Sequence, residues 1–126
     1  MADPSQPQSK ILLDLEVYSL FAVVHVSGTI TVDTLPAFEE KIDKAFEGDR
    51  KSLVLDFAGL SFISSSGLGA IMAAQRQAQE RGGEVVFACI QPEIRRVFDL
   101  FDLDEFFRSF DSVALATNAL LQRNPR

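Results

Sequence analysis

The sequence predicts an α/β domain in which a mixed, mostly parallel β-sheet of four to five strands is packed with about four helices. Three observations lead there. Short apolar, β-branched runs alternate with stretches of helical period, the order expected of strands joined by crossover helices. The run SLVLDF at residues 52–57 is almost continuously apolar, as a central strand buried on both faces requires. Gly and Pro mark the joints, with Pro36 and Pro92 opening helical stretches and Gly48 and Gly82-Gly83 closing them.

Residues 1–10, MADPSQPQSK, read as a flexible N-terminal tail and residues 122–126 as a C-terminal one, leaving 11–121 as a single domain. Residues 11–17 alternate in part and residues 21–26 are almost wholly apolar, which predicts a strand pair joined near Tyr18 to Leu20 and broken at Gly28. From Thr34 the period becomes helical, with Leu35, Phe38, Ile42 and Ala45 on one face and Asp33 or Thr34 as the cap. After the buried strand a loop through Gly59 is expected, then a helix carrying Leu68, Ile71, Met72, Gln75 and Ala78. Residues 85–90 predict another buried strand, and Pro92 a helix with Ile94, Val97, Phe98 and Phe101 on its core face. A short edge strand over 106–110 and a last helix from an Asp111 cap to Leu121 complete the order β-β-α-β-α-β-α-β-α.

At 126 residues one hydrophobic core is enough, and eleven Phe with no Trp predict what fills it. A net charge of -6 opposes nucleic acid as a partner, because phosphate-backbone affinity rests on clustered Lys and Arg. The start has no basic region followed by an apolar run, and the longest apolar runs fall far short of the roughly 20 residues of a membrane helix. The expectation is a cytoplasmic protein with no membrane contact. Cys89, the single cysteine, reads as a buried structural thiol within VVFACI. With one Cys, one His and no EF-hand spacing, no metal is expected. Gly67-Leu68-Gly69 begins a G-x-G-x-x-G, but Met72 stands where the third glycine belongs, so no nucleotide cofactor is expected either.

The stretch FISSSGLGAI, 62–71, puts three serines at the mouth of a predicted helix. One hydroxyl can cap the helix, a contribution of about 1 kcal/mol, which leaves two to explain. A hydrolase nucleophile needs Gly two residues ahead of the serine and a base. Ile63 and Ser64 precede Ser65 and Ser66 at that spacing, and the only histidine, His25, sits in the apolar strand FAVVHV as a satisfied or partly exposed residue. A small serine hydrolase is therefore the weakest reading. A phosphoryl group, by contrast, suits a helix N-terminus, where unpaired N–H groups and the helix dipole favour an anion. Gly67 has no side chain to shield its neighbours, so a kinase could reach Ser65 without unfolding the helix.

LVLDFAGLSFISSSGLGAIM, together with the upstream VHVSGTI and the downstream EVVFACIQPEIRRVFDLFDLDEFF, resembles the STAS domain of bacterial anti-sigma-factor antagonists over about Ile11 to Leu121. The resemblance implies a non-enzymatic partner switch. Such antagonists bind an anti-sigma factor/serine kinase of the histidine-kinase-like ATPase type and are released when it phosphorylates one serine, here Ser65, with Ser64 and Ser66 as alternates. The partner-binding set it implies is Gly28, Thr29, Thr31, Ser64, Ser65, Ser66, Gly67 and Leu68. A monomer or weak dimer is expected, and a resetting phosphatase is left open as a partner. Two positions depart from the family pattern: Ser64 replaces an acidic residue before the phosphoacceptor, and Gly28-Thr29-Ile30-Thr31 lacks the usual carboxylates. These losses favour the other reading, an unphosphorylated STAS scaffold within a larger assembly. Phe101, Phe106 and Phe107 are assigned mainly to the core, and Arg95 and Arg96 to a solvated helix face.

Overall fold

Seven strand-forming residues, Ile11–Val17 (β1), turn at Tyr18 and return antiparallel as β2, Phe21–Ile30, with Leu15 opposite Val24. A computed structural model describes residues 9–122 and orders the sheet β1-β2-β3-β4-β5. The remaining strands, β3 (Ser52–Ile63), β4 (Val85–Ala88) and β5 (Arg108–Phe110), add in parallel. Parallel neighbours need crossovers. These are α1 (Leu35–Ala45), α2 (Ser65–Glu80) and α3 (Pro92–Leu100), the last followed by a 3-10 turn at Leu103–Glu105.

Alternation along the strands splits the core in two. Val24, Leu55, Phe57 and Phe87 face α1 to α3 and meet Phe38, Ile71 and Phe98 there. Phe21, Val23, Val54, Val86 and Ala88 face the other way, against Ala116 and Leu120 of α4 (Val113–Leu121). That last helix packs on β3, β4 and β5. The outer strand β1 keeps Leu12, Asp14 and Glu16 exposed on this face.

Several boundaries differ from expectation for tertiary reasons. Gly28 does not end its strand: it adopts φ +102 at a register irregularity, and β2 continues to Ile30. A side chain there would overlap the Lys10 carbonyl, which accepts a hydrogen bond from Thr29 N at 2.8 Å. The stretch through Gly59 is strand, not loop, since Gly59 to Ile63 stay paired with Ser27 to Ile30. Thr34 stands at the N-cap of α1, but its hydroxyl donates to Thr29 O at 2.8 Å and accepts from Thr31 N at 2.9 Å, capping no helix amide. Ser112, not Asp111, caps α4 through Leu115 N at 3.1 Å. β4 stops at Ala88 because Cys89 turns to φ +60.

The tail expected over 1–10 lies outside the described residues as far as residue 8, as does the C-terminal one from residue 123. Ser9 and Lys10 are tied down: the Ser9 hydroxyl donates to Asp33 Oδ2 at 3.1 Å and accepts from Thr31 Oγ1 at 3.1 Å. No helix among the described residues is long and apolar enough to cross a membrane.

Candidate functional site

The sheet brings two distant segments side by side at the carboxyl ends of β2 and β3. Ser64 N donates to Ile30 O at 2.8 Å, so Gly28 to Thr31 and the serine run form one face. Gly67 permits the closeness. A Cβ there would come within 2.7 Å of Ile30 Cγ2 and 2.8 Å of Ile63 Cγ1, contacts that would push the start of α2 off the sheet.

The three serines take different roles. Ser64 is extended (φ -79, ψ 166) and accepts from Gly67 N at 3.1 Å, which makes it the N-cap. Ser66 is exposed and shares a 2.9 Å hydrogen bond with the Ser64 hydroxyl. Ser65, the first residue of α2, is exposed, and no hydrogen bond among the described residues engages its hydroxyl. It stands where the first-turn amides and the positive end of the helix dipole favour a negative charge.

Of the eight residues assigned to partner contact, five reach the surface: Gly28, Thr31 and Ser64 in part, Ser65 and Ser66 fully. Thr29, Gly67 and Leu68 are buried instead. Leu68 turns its side chain into the core, Gly67 has none to present, and the Thr29 hydroxyl donates to Lys10 O, so the three set the position of the face without presenting a side chain on it. Two exposed apolar residues that sequence reasoning passed over, Val32 and Phe62, flank it. Phe62 had a signal, since the strand alternation that buries Ile63 turns its neighbour outward. Beside Gly28 the face continues into a depression of about 550 Å³ lined in part by Ser9, Lys10 and Asp33.

His25 is not brought to the serines. It points to the α4 side of β2, with Nδ1 2.6 Å from Asp56 Oδ2 and Nε2 2.8 Å from Glu16 Oε1. The serines open a helix on the opposite side, so the hydrolase reading loses its base. Burial of the ring works against its charge, but the hydrogen bonds to Asp56 and Glu16 and their negative charges outweigh this and raise the His25 pKa. The hydrogen bond from His25 holds the Glu16 carboxyl below its ordinary value. The signs fix the pH window. The His25 contribution is complete below its unfolded pKa of about 6.5 and is lost as pH rises through the folded value. The Glu16 contribution exists above about pH 4.3 and is lost as pH falls through its own, and its exposure keeps that share small. The stability difference between wild type and His25→Gln, from urea midpoints, should therefore shrink between about pH 6 and pH 9. A difference constant across that range would mean that His25 carries no charge in this bridge.

Cys89 is half-buried, more open than expected, because the turn at φ +60 lifts it from the strand. Its thiol donates to Asp111 O at 3.5 Å, and burial, with Asp56 nearby, pushes its pKa up, away from a reactive thiolate. Arg95 is not simply solvated: its guanidinium donates to Asp104 Oδ1 at 2.7 Å and Ser109 Oγ at 2.9 Å. Phe107 and Phe98 are core, while Phe101 and Phe106 are exposed. No three His, Cys, Asp or Glu side chains among the described residues are grouped so as to hold a metal.

The chain is 25% identical to an anti-sigma F factor antagonist of Paenibacillus polymyxa over 109 residues, 86% of this chain and 93% of that one. It is 30% identical to the anti-sigma-F factor antagonist RsfB of Mycobacterium tuberculosis over 94 residues, 73% of this chain and 75% of the relative. The crystal structure of an anti-sigma factor antagonist from Mycobacterium paratuberculosis superposes with a TM-score of 0.80 at 26% identity, covering 97% of this chain and 100% of that one. A sequence profile of the STAS domain matches residues 13–116, most of the sequence, and the chain belongs to the STAS domain family.

Proposed function

We propose that this protein is an anti-sigma-factor antagonist that works by partner switching. With Ser65 bare, the face formed by Gly28, Thr31, Ser64, Ser65 and Ser66 docks an anti-sigma factor that is also a serine kinase. Transfer of a phosphoryl group from ATP to Ser65 Oγ, with loss of the hydroxyl proton and release of ADP, ends the association. One observation carries the choice of residue: of three adjacent hydroxyls, only that of Ser65 is both exposed and unengaged, while Ser64 and Ser66 bond to each other and Ser64 caps α2. The new group would bring about -1.5 to -2 charges to a small neutral patch. Helix-terminal amides accommodate that charge in the free chain, whereas a packed interface would have to desolvate it.

Incubation with the cognate kinase and ATP should add the mass of a single phosphate, and Ser65→Ala should abolish the addition. Persistence of the shift in Ser65→Ala with its loss in Ser64→Ala or Ser66→Ala would move the acceptor to that serine.

A second reading has a specific observation in its favour. Neither Ser64 nor Thr31 offers the carboxylate that the family pattern places beside the phosphoacceptor, which suits a scaffold that uses the same face without being phosphorylated. Gel filtration separates the two. A stable large homo-oligomer supports scaffolding, and a species that shifts only with the kinase partner supports switching.

A further inference from the structure

Three large apolar side chains stand in water within seven residues where α3 gives way to β5. Leu100 is 78% exposed, Phe101 55% and Phe106 52%. A single exposed apolar residue needs no explanation, but three on one turn leave apolar surface that folding has not covered. The turn lies at the pole of the fold opposite Ser65. Helices α2 and α3 begin at the carboxyl ends of β3 and β4 and run back, so the last turn of α3 reaches the strands' amino ends. Gln75 fixes that placement, its amide donating to Phe106 O at 2.6 Å while its Oε1 accepts from Val85 N, the first residue of β4, at 2.7 Å.

The turn is rigid. Leu103 plugs it into the core, and backbone bonds close it on itself: Asp102 N to Asp99 O at 3.2 Å, Phe106 N to Leu103 O at 2.9 Å and Phe107 N to Leu103 O at 3.1 Å. Asp102 holds the left-handed conformation at φ +53. Gln75, only 5% exposed, braces it from α2, and Arg95 does so through Asp104. A surface already ordered has little conformational entropy to lose on binding.

Charge identifies the occupant. Asp99, Asp102 and Glu105 are exposed around the three apolar residues, against Arg96; Arg95 and Asp104 pair with each other, and Arg108 beyond the turn pairs with Glu84. Two copies of this chain meeting here would set acid against acid, on molecules that each carry a net charge of -6. Anionic lipid and nucleic acid are opposed by the same sign. The matching chemistry is an amphipathic segment whose apolar side chains are flanked by Lys and Arg. We propose that residues 99–106 form a second docking surface, for a basic amphipathic segment of a partner protein, independent of the charge on Ser65. Ser65 and the bracing Gln75 are ten residues apart on α2, about 15 Å along the helix axis and beyond the roughly 8 Å screening length of physiological salt.

The probe is a fluorescein-labelled helical peptide of about 15 residues with Leu on one face and Lys on the other, compared with a counterpart carrying Glu for Lys. Anisotropy titrations at about 150 mM salt should show binding of the Lys peptide alone. Phe101→Ser/Phe106→Ser should weaken it about tenfold or more. Leu100→Ser, at the most exposed of the three, should weaken it severalfold with an unchanged urea midpoint. Asp102→Asn/Glu105→Gln should weaken it and flatten its salt dependence, whereas Asp14→Asn/Glu39→Gln, on β1 and α1 toward the opposite edge of the sheet, and the switch variant Ser65→Asp should leave it unchanged. Undiminished binding by both the Phe101→Ser/Phe106→Ser and Leu100→Ser chains, equal binding of the Glu peptide, no binding of the Lys peptide, or a homodimer abolished by Phe101→Ser/Phe106→Ser would each overturn the proposal.

Discussion

Ser65→Asp should bind the anti-sigma partner about a hundredfold more weakly than Ser65→Ala, a difference of roughly 2.7 kcal/mol. Both substitutions remove the hydroxyl, so the comparison isolates charge. In the free chain a carboxylate at the first position of α2 is tolerated, because the helix dipole and first-turn amides favour it by about 0.3–1 kcal/mol. In the proposed complex the same charge would be stripped of water among small neutral neighbours, Ser64, Ser66 and Thr31. Phosphoserine carries up to twice the charge and should bind more weakly still. Titration calorimetry with the purified partner measures the pair directly. Equal affinities for the two variants would remove electrostatic release as the mechanism, whatever the phosphorylation state found in cells.

Phe87→Ala should lower the folding free energy by about 3–5 kcal/mol, a loss visible as a large fall in the urea midpoint. Phe87 is fully buried on β4 and packs with Phe57 at 5.1 Å, Phe98 at 5.0 Å and Phe107 at 5.0 Å, the latter two edge-on. Four rings from β3, β4, α3 and the approach to β5 converge there, and truncation of the central one leaves a cavity that none of the others can swing to fill without losing its own contacts. The serine face is formed elsewhere, between the ends of β2 and β3 and the start of α2. The folded fraction of Phe87→Ala should therefore keep the affinity of wild type for the partner. A loss of less than about 1 kcal/mol would mean that the aromatic cluster relaxes freely and is not the centre of the core.

Local pattern carried far in this chain. The period change at Thr34, the apolar run 52–57, and the placing of proline before helices and glycine after them are properties of neighbouring residues, and they sufficed for the element order and for a helix opening at the serines. The same local signals could not say which serine caps and which is left unengaged, because the answer depends on where Ser64 N meets Ile30 O across 34 residues of chain. They ended β2 at Gly28 and put a loop at Gly59, where pairing with the neighbouring strand continues both elements.

By itself, then, the sequence determined the α/β alternation, the strand and helix order and the presence of a hydroxyl cluster at the mouth of α2. Only the tertiary structure decided that Ser65 faces water while Thr29 and Leu68 do not, that His25 answers Asp56 and Glu16 and not the serines, and that Phe101 and Phe106 stand outside a core that holds Phe98 and Phe107. The division has a physical cause. Helical and strand periods are set by bonds to near neighbours along the chain, whereas exposure and ion pairing are set by contacts between residues far apart in sequence, which exist only once the sheet has assembled.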